Sequence, residues 1–163
     1  MADDVYHLVA RHPGQYVAIQ APIAEPLSDV VVTGTFRKVG GPPGGGYGLI
    51  IRDQRPAQGA PLDQGGRYYV LEVGDRGEVG IWRRETDRWV DLLPWTRREA
   101  VRPGGEPNEL SVLAVGPRLT LQVNGMSVAT VEDPTLDMGA VGVFVGGDLN
   151  EVVLDRFVVQ ALR

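Results

Sequence analysis

The sequence predicts an all-β protein, a two-sheet antiparallel β-sandwich of jelly-roll type. Three observations carry this. Apolar and polar residues alternate with period two along much of the chain, the pattern of strands with one buried face. Turn signals built from Gly, Pro, Asn and Asp separate these runs at roughly 8 to 15 residue spacing. No stretch sustains a helical period over about ten residues between caps. About eleven strands with few long connections pack most readily as two layers.

The clearest part runs from Glu109 to Gly147. Asn124-Gly125 lies between two alternating runs, and Asn-Gly favours a type I′ hairpin because both central residues need φ > 0. Gly116-Pro117 precedes the first run and Asp133-Pro134 closes the second. Strand, turn, strand, turn, strand, loop, strand reads as a β-meander.

The other elements follow in order. Residues 1–13 are polar and weakly patterned, and are expected to be a flexible N-terminus. Residues 14–163 are expected to form a single sandwich domain. Gly14 to Ala21 is a short strand between prolines, and Asp29 to Val39 is a long one. The GGPPGGGYG that follows is like a phosphate-cradling loop only in composition. No Gly-Lys-Ser/Thr opens a helix after it, the chain runs straight into a strand, and two prolines remove backbone donors. It reads as a mobile hairpin loop. Strands follow at Tyr47 to Asp53, Arg67 to Val73, Glu78 to Arg84 and Arg88 to Leu93, with a long polar loop from Gln54 to Gly66. Pro94 to Pro107 reads as a connection with a short helical turn near Arg97 to Ala100. Glu151 to Leu162 is the closing strand.

Composition narrows the function classes. A chain of 163 residues, 43% hydrophobic and 23% charged, is ordinary for one globular domain. Its formal net charge of −5 argues against nucleic acid or an anionic membrane as partner. The absence of cysteine excludes a disulfide, a thiolate metal site and a cysteine nucleophile. The start carries acids and no apolar h-region, so it is not read as a signal peptide. No apolar run approaches the roughly 20 residues of a membrane span. The compartment stays open.

Period-two alternation separates the faces of each strand. Burying the aliphatic sets leaves Arg52, Tyr68, Glu72, Trp82, Arg84 and Gln122 on the opposite face. If their strands share a sheet, that face combines rings with guanidinium groups, a carboxylate and an amide. Rings offer a flat apolar surface and the polar groups offer planar hydrogen bonding, which suits sugars and other polyols. These six are the candidate ligand-binding residues. Trp89 and Trp95 are assigned to packing.

Catalytic patterns are weak. Glu85-Thr86-Asp87-Arg88-Trp89-Val90 echoes a glycosidase acid cluster but has Val90 where the last acid belongs, and lies in a turn. Ser28, Ser111 and Ser127 are the only serines, and both histidines, His7 and His12, lie near the terminus, which disfavours a Ser-His-Asp triad. No catalytic residues are assigned and no cofactor is expected. Asp148, Asn150 and Glu151 supply hard oxygens within four residues, a calcium candidate that reads more simply as a polar turn.

The ordered series YGLIIR, RYYVLEV, DLLPWT, NELSVLAVGPRLTLQVNG, DMGAVGVFVGG and EVVLDRFVV resembles the concanavalin A-like lectin/glucanase superfamily. The branch it is most similar to is described as keto-disaccharide hydrolase-like or laminin-G-like jelly rolls, often attached to bacterial signalling or secreted proteins. The resemblance spans about Tyr16 to Val159. It implies two antiparallel sheets, a concave ligand-binding face and carbohydrate as ligand class. It implies no particular activity, since one fold hosts many functions. The expected function is therefore a non-catalytic module binding a glycan or related polar ligand. A protein-interaction or sensory accessory domain is the alternative, and a divergent sugar-active hydrolase the third.

Overall fold

The computed structural model describes residues 6–10, 16–22, 25–54, 66–147 and 149–162. They form twelve strands: β1 (Tyr6–Val9), β2 (Val17–Gln20), β3 (Val30–Gly40), β4 (Gly46–Asp53), β5 (Arg67–Gly74), β6 (Glu78–Glu85), β7 (Arg88–Arg97), β8 (Asn108–Val115), β9 (Arg118–Val123), β10 (Met126–Glu132), β11 (Ala140–Gly146) and β12 (Glu151–Ala161). There is no helix among them, and none long and apolar enough to cross a membrane.

Two six-stranded antiparallel sheets result. The first has the order β1-β12-β3-β8-β9-β10, and the second β2-β11-β4-β5-β6-β7. Alternation explains the first. Val30, Val32 and Phe36 of β3 and Leu110, Val112 and Ala114 of β8 point inward, alternating with less buried residues. They meet Tyr47, Leu49, Ile51, Tyr69, Leu71, Val79 and Ile81 of the second sheet in one continuous core. At roughly 1.5–3 kcal/mol per fully buried aliphatic or aromatic side chain, this layer is the main source of stability.

Several expectations are corrected here. The meander holds for β8, β9 and β10, but β11 leaves it and pairs between β2 and β4 in the second sheet. Its sequence AVGVFVG is apolar on both faces, which an interior strand can bury and a solvent-facing meander strand cannot. Gln122 stands on β9, opposite Ser111 and Ser127 in the first sheet, so it is not on the same sheet as the other candidates. Tyr6–Val9, inside the segment expected to be flexible, is paired with Val9↔Glu151 through Tyr6↔Leu154 of β12. The Trp95 region is strand rather than connection. β7 runs to Arg97 at the edge of its sheet, where Pro94 costs no ladder bond and two register shifts blunt the edge. Residues 55–65 of the long polar loop lie outside the described residues.

The Asn-Gly turn behaves as its chemistry requires, with φ of 53° at Asn124 and 85° at Gly125. Asn124 also ties this hairpin to the chain before β8. Its Nδ2 donates to Ala100 O at 2.8 Å and to Asn108 Oδ1 at 2.9 Å. Asn108, 1% exposed, donates in turn to Tyr47 Oη at 2.8 Å and Arg102 O at 2.9 Å.

Candidate ligand-binding site

The second sheet buries one face in the core and turns the other outward. On that outer face, alternation places Gly46, Gly48 and Ile50 of β4, and Tyr68, Val70, Glu72 and Gly74 of β5. Gly80, Trp82 and Arg84 of β6 follow, with Phe144 of β11 on the other side. Ala18, Ile50, Tyr68, Val70 and Phe144 form a second apolar cluster, with Tyr16 packed against it. That is why β4 and β5 are buried on both faces although they belong to one sheet.

Beside this cluster the outer face opens into a cavity of about 600 Å³. Its walls are aromatic: Tyr16, Trp82, Trp89, Trp95 and Phe144. Trp82 and Trp95 meet edge to face, 4.8 Å between ring centres. Tyr16 stacks on Phe144 at 5.2 Å, and Trp89 sets its edge against both, at 5.4 and 5.8 Å. Trp89 and Trp95 remain 36% and 42% exposed, which for large rings at a cavity mouth leaves faces open to a ligand.

The floor is made of glycine. Trp95 lies against Gly46 and Gly74, and the Trp82 ring folds back over Gly80 so closely that a Cβ there would overlap it. A Cβ on Gly48 would run into the Leu71 carbonyl and the Glu72 side chain. Gly80→Ala is accordingly expected to displace the Trp82 ring. Near-ultraviolet circular dichroism should then lose the Trp82–Trp95 signal while the far-ultraviolet β spectrum persists; an unchanged near-ultraviolet spectrum would contradict this packing.

Glu72 sits in this floor, 6% exposed. Its Oε2 would lie 2.9 Å from a Cβ at Gly46, with the Trp95 ring 3.1 Å from the same point. Among the described residues it makes no hydrogen bond or ion pair. Burial alone therefore pushes its carboxyl up to about 8 from an ordinary value of 4.5.

The rim is held by charge. Lys38 Nζ meets Asp75 Oδ2 at 2.5 Å and donates to Pro42 O at 2.6 Å. Gly44 N donates to both Asp75 oxygens, at 3.0 and 3.1 Å. The Gly-rich segment expected to be a mobile hairpin loop is thus docked, and its Gly44, Gly45 and Gly46 line the cavity. Gly44 and Gly45 have φ of 97° and 99°, a region where a side chain would be strained.

Of the six sequence candidates, Tyr68, Glu72, Trp82 and Arg84 share this outer face. Glu72 and Trp82 line the cavity itself. Tyr68 is fully buried beneath Trp89, ring centres 6.1 Å apart. Arg84, 9% exposed, holds its guanidinium 4.9 Å from the Trp89 ring centre and 5.9 Å from that of Tyr16, and donates to Thr86 O at 3.2 Å. It props the aromatic wall from behind.

Arg52 does not belong to the face. The β4–β11 register slips between Ala140↔Asp53 and Gly142↔Ile50, and Arg52 takes φ 54°, so a β-bulge turns its side chain into the end of the sandwich. There it donates to Ser28 O at 2.9 Å, Gly116 O at 2.7 Å and Leu136 O at 3.1 Å, and stands 3.7 Å from Asp29 Oδ1. It clamps three loops.

The acid echo at Glu85 is also structural. Glu85 accepts from Arg67 at 2.8 Å and from Arg83 at 2.6 Å, and these bonds hold its carboxyl below the usual range. Asp148 of the calcium candidate lies outside the described residues. Asn150 uses its amide on the Gly46 and Gly146 carbonyls, and Glu151 faces His7. Among the described residues no group of three or more His, Asp or Glu is arranged to hold a metal.

No protein-family model matches the sequence, and no curated protein matches it. Solved structures do match in fold. The carbohydrate-binding module CBM66 from Bacillus subtilis aligns over 85% of this chain and 78% of its own, with a TM-score of 0.69 and 16% identity. Sheep galectin-11, in a complex with glycerol, aligns over 91% of this chain and 98% of its own, at 0.58 and 15%. The GH43 protein BlXynB from Bacillus licheniformis aligns over 96% of this chain but only 32% of its own, at 0.60 and 12%. This chain shares the two-sheet antiparallel jelly-roll fold of these structures.

Within this sandwich, sequence reasoning missed Tyr16, Trp89, Trp95 and Phe144. Tyr16 precedes β2 and Phe144 lies on β11, and only the pairing of β2 with β11 and of β11 with β4 carries them to the cavity. The available signal was in β7. Trp89 stands directly opposite Arg84, so once the β6–β7 hairpin is accepted the tryptophan must share its face.

Proposed function

We propose that this chain is a non-catalytic carbohydrate-binding module whose glycan lies in the cavity between the Trp82–Trp95 pair and the Tyr16–Phe144–Trp89 cluster. The observation that carries the reading is an aromatic-walled cavity whose glycine floor holds a buried, unpartnered carboxyl. Sugar rings present apolar C–H faces that stack on aromatic rings, while their hydroxyls need a few fixed polar groups. Glycines keep the floor low enough for such a ring to reach Glu72. The likeness to a carbohydrate-binding module and a galectin supports the same ligand class.

Only one carboxyl, that of Glu72, lies in the floor, which supports a binding rather than a hydrolytic role. Retaining and inverting hydrolysis both use two carboxyl groups across the bond to be cut. Glu72 stands on the floor, and Asp75 is engaged by Lys38 and the Gly44 amide. Glu78 lies on the rim of the cavity.

A glycan array followed by calorimetric titration of the best ligand tests this. Trp95→Ala and Trp82→Ala should each weaken binding at least tenfold, about 1.4 kcal/mol or more, as loss of a stacking ring does. Binding that is absent from the whole array, or indifferent to both variants, would remove the proposal.

A further inference from the structure

We propose that the cavity selects its glycan by a cationic amino group, held against the Glu72 carboxylate and enclosed by the faces of the surrounding tryptophans. This rests on the carbohydrate reading above and adds the chemistry of the recognised substituent.

The geometry favours a cation over a neutral hydroxyl or an anion. Glu72 is buried and has no hydrogen-bond or ion-pair partner among the described residues, although four other buried charged side chains nearby or elsewhere are engaged. Lys38 is paired with Asp75, Arg52 with loop carbonyls, Arg84 with rings and Thr86, and Asp133 with Tyr69 and Arg83. A carboxylate left alone in an apolar enclosure is a standing cost, and a ligand cation removes it. The walls are suited to the same charge. Aromatic faces carry negative potential and attract ammonium groups, most strongly when the pair is desolvated. They offer nothing comparable to an anion.

The charged groups lining the cavity are three carboxyls, of Glu72, Asp75 and Glu78, and one guanidinium, of Arg76. Asp75 and Arg76 lie in the turn between β5 and β6, Glu78 opens β6, and Arg84 stands behind Trp89. Gly46 and Gly48 of β4 lie against Glu72, and the Trp95 ring of β7 approaches the same Gly46 position. Asp75 is spoken for by Lys38 and Gly44. Among the described residues no cation forms a hydrogen bond or ion pair with Glu72.

The coupling has a sign. With its carboxyl pushed up to about 8, free Glu72 is largely protonated at neutral pH. A bound cation favours the ionised form, so binding releases a proton below pH 8. For a permanent cation, affinity should rise by up to tenfold per pH unit toward pH 8 and then level off.

The experiment is calorimetric titration of the full chain with three probes: a β-1,4-linked glucosamine trisaccharide, its fully N-acetylated counterpart, and choline. At pH 7 the free-amine trisaccharide should bind at least tenfold more tightly than the acetylated one. Glu72→Gln should remove that difference, and choline should tighten between pH 6 and 8 in the native protein only. Trp95→Ala should weaken choline as well, and unchanged far-ultraviolet spectra show that both variants fold. Equal binding of the two trisaccharides with no effect of Glu72→Gln overturns the amine inference and leaves the carbohydrate reading intact. Glu72-dependent choline binding with no saccharide bound anywhere on the array keeps the cation pocket and overturns the glycan. Failure of choline and of the free-amine trisaccharide alike overturns the inference.

Discussion

Arg52→Ala is expected to destabilise the protein by about 3–5 kcal/mol, the range found when one partner of a buried charged network is removed. Three carbonyls would lose their donor, that of Leu136 at a buried position and those of Ser28 and Gly116 at exposed ones. They belong to three different loops: one before β3, one between β8 and β9, and one between β10 and β11. The loss is therefore of long-range contacts that hold both sheets together. For a chain of this length a change of that size lowers the melting temperature by roughly 10 °C. Arg52→Lys keeps the charge but not the planar fork that serves several acceptors at once, and should lose a large part of the same stability. Urea unfolding of the three proteins measures it. A loss under about 1 kcal/mol for Arg52→Ala would show that the loops hold without the clamp.

Stability should fall as pH rises from about 5 to 9, and Glu72→Gln should abolish most of that fall. The unfolded chain returns Glu72 to its ordinary value of 4.5, whereas the folded chain holds it at about 8. Between those values the folded protein binds the extra proton, so raising the pH favours unfolding. Below pH 4.5 the group is neutral in both states and carries no penalty. Above pH 8 the full penalty applies, on the order of a few kcal/mol. Every other titratable group is common to both proteins, so the difference between their melting curves isolates Glu72. Parallel pH profiles for the native protein and Glu72→Gln would refute a buried, unpartnered carboxyl. A residue that costs stability when ionised, at the floor of an aromatic cavity, is typical of a site shaped for a ligand rather than for folding.

The sequence by itself determined the local geometry. The Asn124-Gly125 hairpin needs only two residues that tolerate φ > 0, and alternation put Tyr68, Glu72, Trp82 and Arg84 on one face because strand pleating is fixed by the backbone. The antiparallel two-sheet class followed from the same local signals. What alternation cannot say is which sheet a strand joins. Gln122 has the right parity but stands in the other sheet, and Phe144 reached the cavity because β11 crossed between layers. Nor can it anticipate a bulge. One extra residue near Arg52 reversed its side chain and turned a candidate ligand contact into a clamp. The Gly-rich segment read as mobile because glycine carries no side chain to signal a contact; Lys38 and Asp75, 37 residues apart, hold it at the rim. The cavity is made of pairings between segments distant in sequence, and only the closing of the sandwich brings Tyr16, Trp89, Trp95 and Phe144 around the one carboxyl that alternation had already placed.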